Sequence, residues 1–228
     1  MRHPLKPESQ GGFTLIEMMI AMAISSFLLL AIMVTFSSTS RSRQLQTSLS
    51  GLNESGRFAI SVLGRDLRMA GYKDDNWLTG AIPNTIVVAN GAAADGGDSI
   101  TIQYEAARDC NYANTVGGMA VNAYTLNMAT FSLECNGQPI IDDIEQMQIY
   151  FGEDTDADGV ANRMMSPDEV GLDMARVVSL RLHLLVRSQN DRQSEMAQQY
   201  FFDDVTWDAA DTRMRRQYSI TVALRNPI

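Results

Sequence analysis

Residues 13 to 36, FTLIEMMIAMAISSFLLLAIMVTF, form one apolar run that carries a single charge, Glu17. Coiled as a helix at 1.5 Å per residue, the run reaches about 36 Å, enough to cross a bilayer. A carboxylate inside a bilayer costs roughly 2.5 to 3.5 kcal/mol on insertion scales, and such residues usually mark function. An ordinary secretory signal has a shorter apolar core followed by a small-residue cleavage site. Here the run is too long, and the VTFSSTSRS that closes it is a poor site. A plain signal anchor fits the length. Its orientation is not set by charge, because Arg2 and Lys6 on one side face Arg41 and Arg43 on the other. Neither reading accounts for Glu17.

The stretch GGFTLIEMMIAMAIS at residues 11 to 25 resembles the class III signal of type IV prepilins. That signal is a short basic leader ending in Gly, then Phe, then Thr-Leu-Ile-Glu and an apolar helix. The resemblance implies that a prepilin peptidase cuts on the cytoplasmic side, between Gly12 and Phe13, and N-methylates Phe13. The apolar segment then stays on the mature chain. In a bundle of such helices the Glu17 carboxylate can pair with the Phe13 amine of a neighbouring subunit. Pairing offsets the desolvation each charge bears alone, and it penalises every other axial offset. Glu17 is thus expected to be an assembly residue; the alternative is an acid tolerated near the headgroups.

From Ser37 to about Ala70 the composition becomes polar while the helical period continues. Leu45, Leu49, Leu52, Gly56, Ala59, Leu63 and Leu67 recur at three- and four-residue steps. No proline interrupts Phe13 to Tyr72, which predicts a single helix of more than about 50 residues. Val34 and Ser26 stand where major pilins often carry Pro and Gly, which puts a kink there in doubt. The segment GRFAISVLGRDLRMAGY, residues 56 to 72, resembles the helix end of PilW-type minor pilins, with Gly71 suited to a C-cap.

Beyond Tyr72 the period shifts towards two. DSITIQY at 98 to 104 alternates as a half-buried strand does, and residues 129 to 152 read as strand, Asn136-Gly137 turn, strand. Val178, Leu180, Leu182, Leu184 and Val186 share one strand face, as do Tyr218, Ile220, Val222 and Leu224. No helical pattern separates these strands. The expectation is an α+β, type IV pilin-like fold, with the long helix packed on a largely antiparallel sheet. Its parts would be a cleaved leader 1–12, a membrane or filament-core helix 13–36, an amphipathic helix half 37–71 and a β-rich periplasmic domain 72–228. The Gly- and Ala-rich residues 89 to 98 read as a flexible loop.

The chain of 228 residues has a formal charge of −9, which argues against broad nucleic-acid binding. Cys110 and Cys135 match no zinc or redox spacing. In an exported chain the pair reads as a disulfide closing a loop of about 26 residues, stabilising by roughly 3 to 4 kcal/mol. In a reducing compartment it would be two free thiols, and the N-terminus argues for export.

One motif carries ligand chemistry. In DTDADGVAN, Asp154, Asp156 and Asp158 occupy positions one, three and five of an EF-hand-like loop. Gly159 stands at the sharp turn, the Val160 carbonyl at seven and Asn162 at nine. An acidic stretch here is also a feature of PilW-like sequences. The twelfth position is Met165 rather than an acid, with Asp168 three residues on. Calcium is the cofactor expected, against an acidic solvated turn. Catalysis finds little support: His183 is expected to be solvated or on a rim beside Arg181 and Arg187. RMRRQY at 213 to 218 reads as a patch paired with acidic neighbours.

Taken together, the resemblance implies a non-enzymatic minor pilin of the PilW type, priming or capping a type IV pilus in support of adhesion, twitching motility or DNA uptake. Its partners would be other minor pilins, the major pilin, the prepilin peptidase and the inner-membrane assembly machinery. It would sit in the inner membrane with a periplasmic C-terminal domain, then in the pilus. The rival readings are a J-type minor pseudopilin of type II secretion and a pilus-borne module that binds surfaces itself.

Overall fold

The computed structural model describes residues 12–74, 82, 85–92, 96–189 and 199–226. The expected leader, up to residue 11, and residues 93–95 of the Gly- and Ala-rich loop lie outside the described residues. The chain divides into two compact units, residues 1–46 and 47–228. Helix α1, Leu15–Met69, begins in the first and ends in the second.

In the first unit the large apolar side chains from Phe13 to Phe36 are each more than half exposed. The helix is long and apolar enough to cross a membrane. Two of its hydroxyls bond back to the helix: Ser26 Oγ donates to Ala23 O at 2.8 Å and Thr35 Oγ1 to Ala31 O at 2.9 Å. This back-bonding hides polar groups that lipid or apolar neighbours could not satisfy. Helix α1 runs without interruption through Ser26 and Val34.

In the second unit α1 buries Leu52, Gly56, Ala59, Leu63, Gly64, Asp66 and Leu67. The expected stripe therefore starts later than the sequence suggests, with Leu45 half-buried and Leu49 39% exposed. Met69 is the last helical residue. Gly71 takes a left-handed φ of 69°, and its N–H donates to Gln103 O at 2.9 Å. Glycine adopts that turn without strain, and the diverted N–H ties the helix end to a strand.

The strands form two main sheets where a single sheet was expected. The first is a meander of β1 (Ile86–Ala89), β2 (Ser99–Glu105), β3 (Met119–Asn127), β4 (Ser132–Cys135) and β5 (Gln138–Asp142), in that order. The second comprises β6 (Ile144–Glu153), β7 (Arg163–Met165), β8 (Val177–Arg187) and β11 (Arg215–Ala223), ordered β11-β8-β6-β7. A two-stranded hairpin joins β9 (Gln199–Phe202) to β10 (Val205–Asp208). Every strand pair is antiparallel. The expected turn is present: Asn136 and Gly137 have φ of 49° and 75°, the two left-handed residues of a type I′ hairpin.

The two sheets meet where Gly97 pairs with Met147 in a parallel bridge. There the buried Asp98 carboxylate accepts Gly91 N–H at 3.1 Å and Ile149 N–H at 2.8 Å. The described ends of the expected flexible loop are thus pinned. Burial pushes the Asp98 carboxyl above its ordinary range, opposed by those two N–H groups.

The core is one cluster in which Leu52, Ala59, Leu63 and Leu67 of α1 meet Ile100, Ile102 and Tyr124 of the first sheet and Ile149, Leu180 and Leu182 of the second. Close approach depends on two helix glycines. A Cβ at Gly56 would lie 2.3 Å from the Tyr218 ring, and one at Gly64 would lie 2.9 Å from Ile220 Cδ1. Cys110 and Cys135 form the disulfide that the pairing in an exported chain suggests, with Cα atoms 6.4 Å apart. The bond tethers the 106–118 loop to the tip of the β4–β5 hairpin.

Candidate assembly and ion-binding sites

Glu17 has a role in its own chain that reasoning from its charge alone missed. Thr14 N–H and Thr14 Oγ1 donate to Glu17 Oε2 at 3.0 and 3.1 Å, and Glu17 N–H donates back to Thr14 Oγ1 at 3.4 Å. This is a capping box on the first turn of α1, and its signature, Thr-x-x-Glu before an apolar run, stands in the sequence. The carboxylate is thereby aimed at the helix N-terminus, where the macrodipole favours an acid. Gly12 and Phe13 precede the helix and are exposed.

Asp66 is the second residue that sequence periodicity did not single out. It lies on the buried face of α1, 1% exposed, and accepts Asn122 Nδ2–H at 2.7 Å and Tyr124 O–H at 2.6 Å. Asn122 also donates to Tyr104 Oη at 3.0 Å, while its Oδ1 accepts Cys110 N–H at 2.9 Å. Burial, then the Asp66 charge, pushes the Tyr104 phenol up to about 12 and raises Tyr124 likewise. The network fastens the helix end, β2, β3 and the disulfide loop together. Both phenols stay protonated donors at any physiological pH, so the arrangement suits support rather than proton transfer.

The acidic loop brings its three aspartates together as spacing predicts. One carboxylate oxygen from each of Asp154, Asp156 and Asp158 lies within 4.8 Å of the others. Asp154 organises the turn: its Oδ1 accepts Asp156 N–H at 3.2 Å and Ala157 N–H at 2.7 Å, and its Oδ2 accepts Gly159 N–H at 2.7 Å. The Gly159 N–H chiefly holds the Asp154 carboxyl below its ordinary range. Ala157 and Gly159 take left-handed φ values of 62° and 86°. Asn162 Oδ1 closes the loop by accepting Thr155 N–H at 3.1 Å and Thr155 Oγ1–H at 3.0 Å.

These hard oxygens suit calcium in kind, and three carboxylates supply part of the six to eight ligands it takes. The twelfth position contributes nothing, because Met165 is 1% exposed within β7. Asp168 is engaged by Ser166 Oγ at 3.2 Å.

His183, expected to be solvated or on a rim, is half-buried. Its side chain is 13% exposed, with Nδ1 3.4 Å from Asp203 Oδ1 and 3.1 Å from Gln217 Nε2. Asp203, at the left-handed tip of the β9–β10 hairpin, also accepts Tyr150 O–H at 2.7 Å. Desolvation lowers the imidazole pKa, and Asp203 opposes it. The basic run pairs with acids as expected, but inward: Arg215, 5% exposed, is held by Glu145 at 2.6 Å and Asp211 at 2.7 Å.

A family described as type IV pilus-assembly protein W matches residues 112–226, and the prokaryotic N-terminal methylation motif matches residues 9–33. Among solved structures, the chain is similar to the type IV-like pilin TTHA1219 from Thermus thermophilus at 16% identity and a TM-score of 0.46, covering 77% of this chain and 97% of that one. It is also similar to a chain of the GspK-GspI-GspJ complex from the enterotoxigenic Escherichia coli type 2 secretion system, at 12% identity and a TM-score of 0.38, covering 78% and 99%. No curated protein matches the chain. A methylation motif at the start of the helix and a family match over half the chain lead to one assignment: the chain belongs to the type IV pilus-assembly protein W family, as a type IV pilin-like minor pilin.

Proposed function

We propose that this chain is a structural, non-enzymatic subunit that primes or caps a type IV pilus, and so supports adhesion, twitching motility or DNA uptake. The observation that carries the reading is the methylation motif at 9–33 and the pilus-assembly match at 112–226 on one chain. In this reading a prepilin peptidase cuts between Gly12 and Phe13 and methylates Phe13. The apolar part of α1 holds the chain in the inner membrane with the β-rich unit in the periplasm, until the assembly machinery passes it to other minor pilins and the major pilin. Cleavage frees the Phe13 amine, and Glu17 exchanges its capping contacts for the amine of a neighbouring subunit. N-terminal sequencing of the chain from pilus-bearing cells should start at methylated Phe13, and deleting its gene should reduce piliation. A mature chain starting at Met1 or after Phe36, or full piliation without the gene, refutes the reading.

We further propose that Asp154, Asp156 and Asp158 hold a calcium ion of modest affinity, with the Val160 carbonyl, Asn162 and water completing the shell. The ion would neutralise three clustered negative charges and order the turn between β6 and β7. Calcium should then raise the melting temperature by mass action on the folded state. Asp154→Ala with Asp158→Ala should abolish the rise. A calorimetric titration to about 10 mM calcium, past the weak extracellular range, showing neither heat nor a shift that depends on these aspartates would leave a plain acidic turn.

A further inference from the structure

The outward face of α1 in the second unit has a character opposite to that of the strands behind it. Arg57, Phe58, Ser61, Arg65 and Arg68 fall at helical spacing on one exposed stripe, across the helix from Leu52, Gly56, Ala59 and Leu63. Among the described residues Arg57 and Arg68 have no acidic partner, and Arg65, with its side chain 67% exposed, touches only the adjacent Asp66. Phe58 sits among these cations with 54% of its surface exposed. Residues 73–228, in contrast, carry 11 Lys and Arg against 23 Asp and Glu.

From this contrast we infer that the Arg57–Arg68 face of α1 is a docking surface for the acidic β-rich surface of an adjacent pilin subunit. The inference rests on the assembly role proposed above, and adds which face is used and what it recognises. Three observations favour a protein partner. The cations are all arginine, which together with aromatics is enriched in interface cores where lysine is depleted. Phe58 offers an apolar anchor of the kind that hot spots use, ringed by groups that pair with carboxylates. The chain's own β-rich part shows that an acidic pilin surface exists for such a face to meet. Nucleic acid is disfavoured: three arginines along about 16 Å of helix neutralise few phosphates, and the surrounding acidic surface repels the rest.

The test uses the full chain in pilus-bearing cells. Wild type, Arg57→Glu/Arg68→Glu and Arg57→Lys/Arg68→Lys are purified from detergent-solubilised membranes, and the co-purifying pilins are measured. A photo-crosslinking residue at position 58 identifies what touches the face. Charge reversal should lower co-purified pilin by about tenfold, since like charges across an interface are strongly penalised. Processing, membrane level and melting temperature should be unchanged. The lysine variant should retain part of the association, and the wild-type complex should weaken as salt rises. Crosslinks should fall on an acidic segment of another pilin. Undiminished co-purification after charge reversal overturns the inference while leaving the assembly role intact, and so do crosslinks to lipid or DNA. A wild-type chain that co-purifies with no pilin and is dispensable for piliation overturns both.

Discussion

At the scale of single residues, the informative positions are polar groups in apolar places. Asp66 lies inside the core, where Asn122 and Tyr124 both donate to it. Tyr124→Phe preserves ring packing but removes one donor from a buried carboxylate. It should destabilise the chain by about 1 to 3 kcal/mol, the penalty for an unmet buried polar group, in denaturant unfolding of the detergent-purified protein. An unchanged midpoint would mean that Asn122 and Arg65 satisfy Asp66 without the phenol. His183 gives a pH signature. Its folded pKa lies below the ordinary 6.5, so the unfolded chain takes up the proton first. The stability that neutral His183 contributes is complete above 6.5 and is lost as pH falls through the folded value. Melting temperatures measured from pH 7.5 down to 5 (a window of about one unit or more either side of that value) should fall less for His183→Gln than for wild type. Parallel curves would show that Asp203 compensates the charge.

At the scale of elements, α1 and its strand partner fit through missing side chains. Gly56→Ala improves intrinsic helix propensity by up to about 1 kcal/mol but drives a methyl into the Tyr218 ring, 2.3 Å away. Overpacking of this kind costs about 1 to 3 kcal/mol, so the net should be a loss of stability in thermal unfolding. Gly51→Ala, with open space around its Cβ, should be neutral or stabilising and serves as the control. What the sequence revealed at this scale followed from clean periodicity: the 3.6 spacing of Leu52, Ala59 and Leu63, the alternation in β8 and β11, and the Asn136-Gly137 turn. Strand β3 escaped notice because its buried face reads Ala120, Asn122, Tyr124. A small residue, an amide and a phenol do not look like a core face until Asp66 is seen to need two of them. The β9–β10 hairpin escaped because its turn residues are Asp203 and Asp204, left-handed without a glycine. The late start of burial on α1 was equally hidden, since Leu45 and Leu49 continue the pattern; Arg216 and Tyr218 of β11 reach the helix at Asn53.

At the scale of the whole molecule, the first unit is built to be covered by something outside the chain, and Glu17 is where that cover can be tested. Glu17→Ala should still insert, since removing an acid eases insertion by a few kcal/mol at most, and should still be cleaved. It should enter filaments poorly, because a neighbouring amine would be left unpaired. Quantifying the variant in sheared pili against its membrane pool checks this, and equal incorporation would reduce Glu17 to its capping role. The second unit has a kinetic property that follows from the seat of β11 on the helix. Tyr218 Oη donates to Asn53 Oδ1 at 2.8 Å across 165 residues of sequence, and Arg216 reaches the same oxygen across 163. Closing loops of that length is slow relative to forming local hairpins. The meander of the first sheet can therefore assemble early from neighbouring segments. The face of α1 at Asn53, Gly56 and Gly64 must wait for a strand that leaves the ribosome long after the helix. Until β11 closes over the two glycines, the helix lacks the neighbours that its missing side chains were shaped to admit.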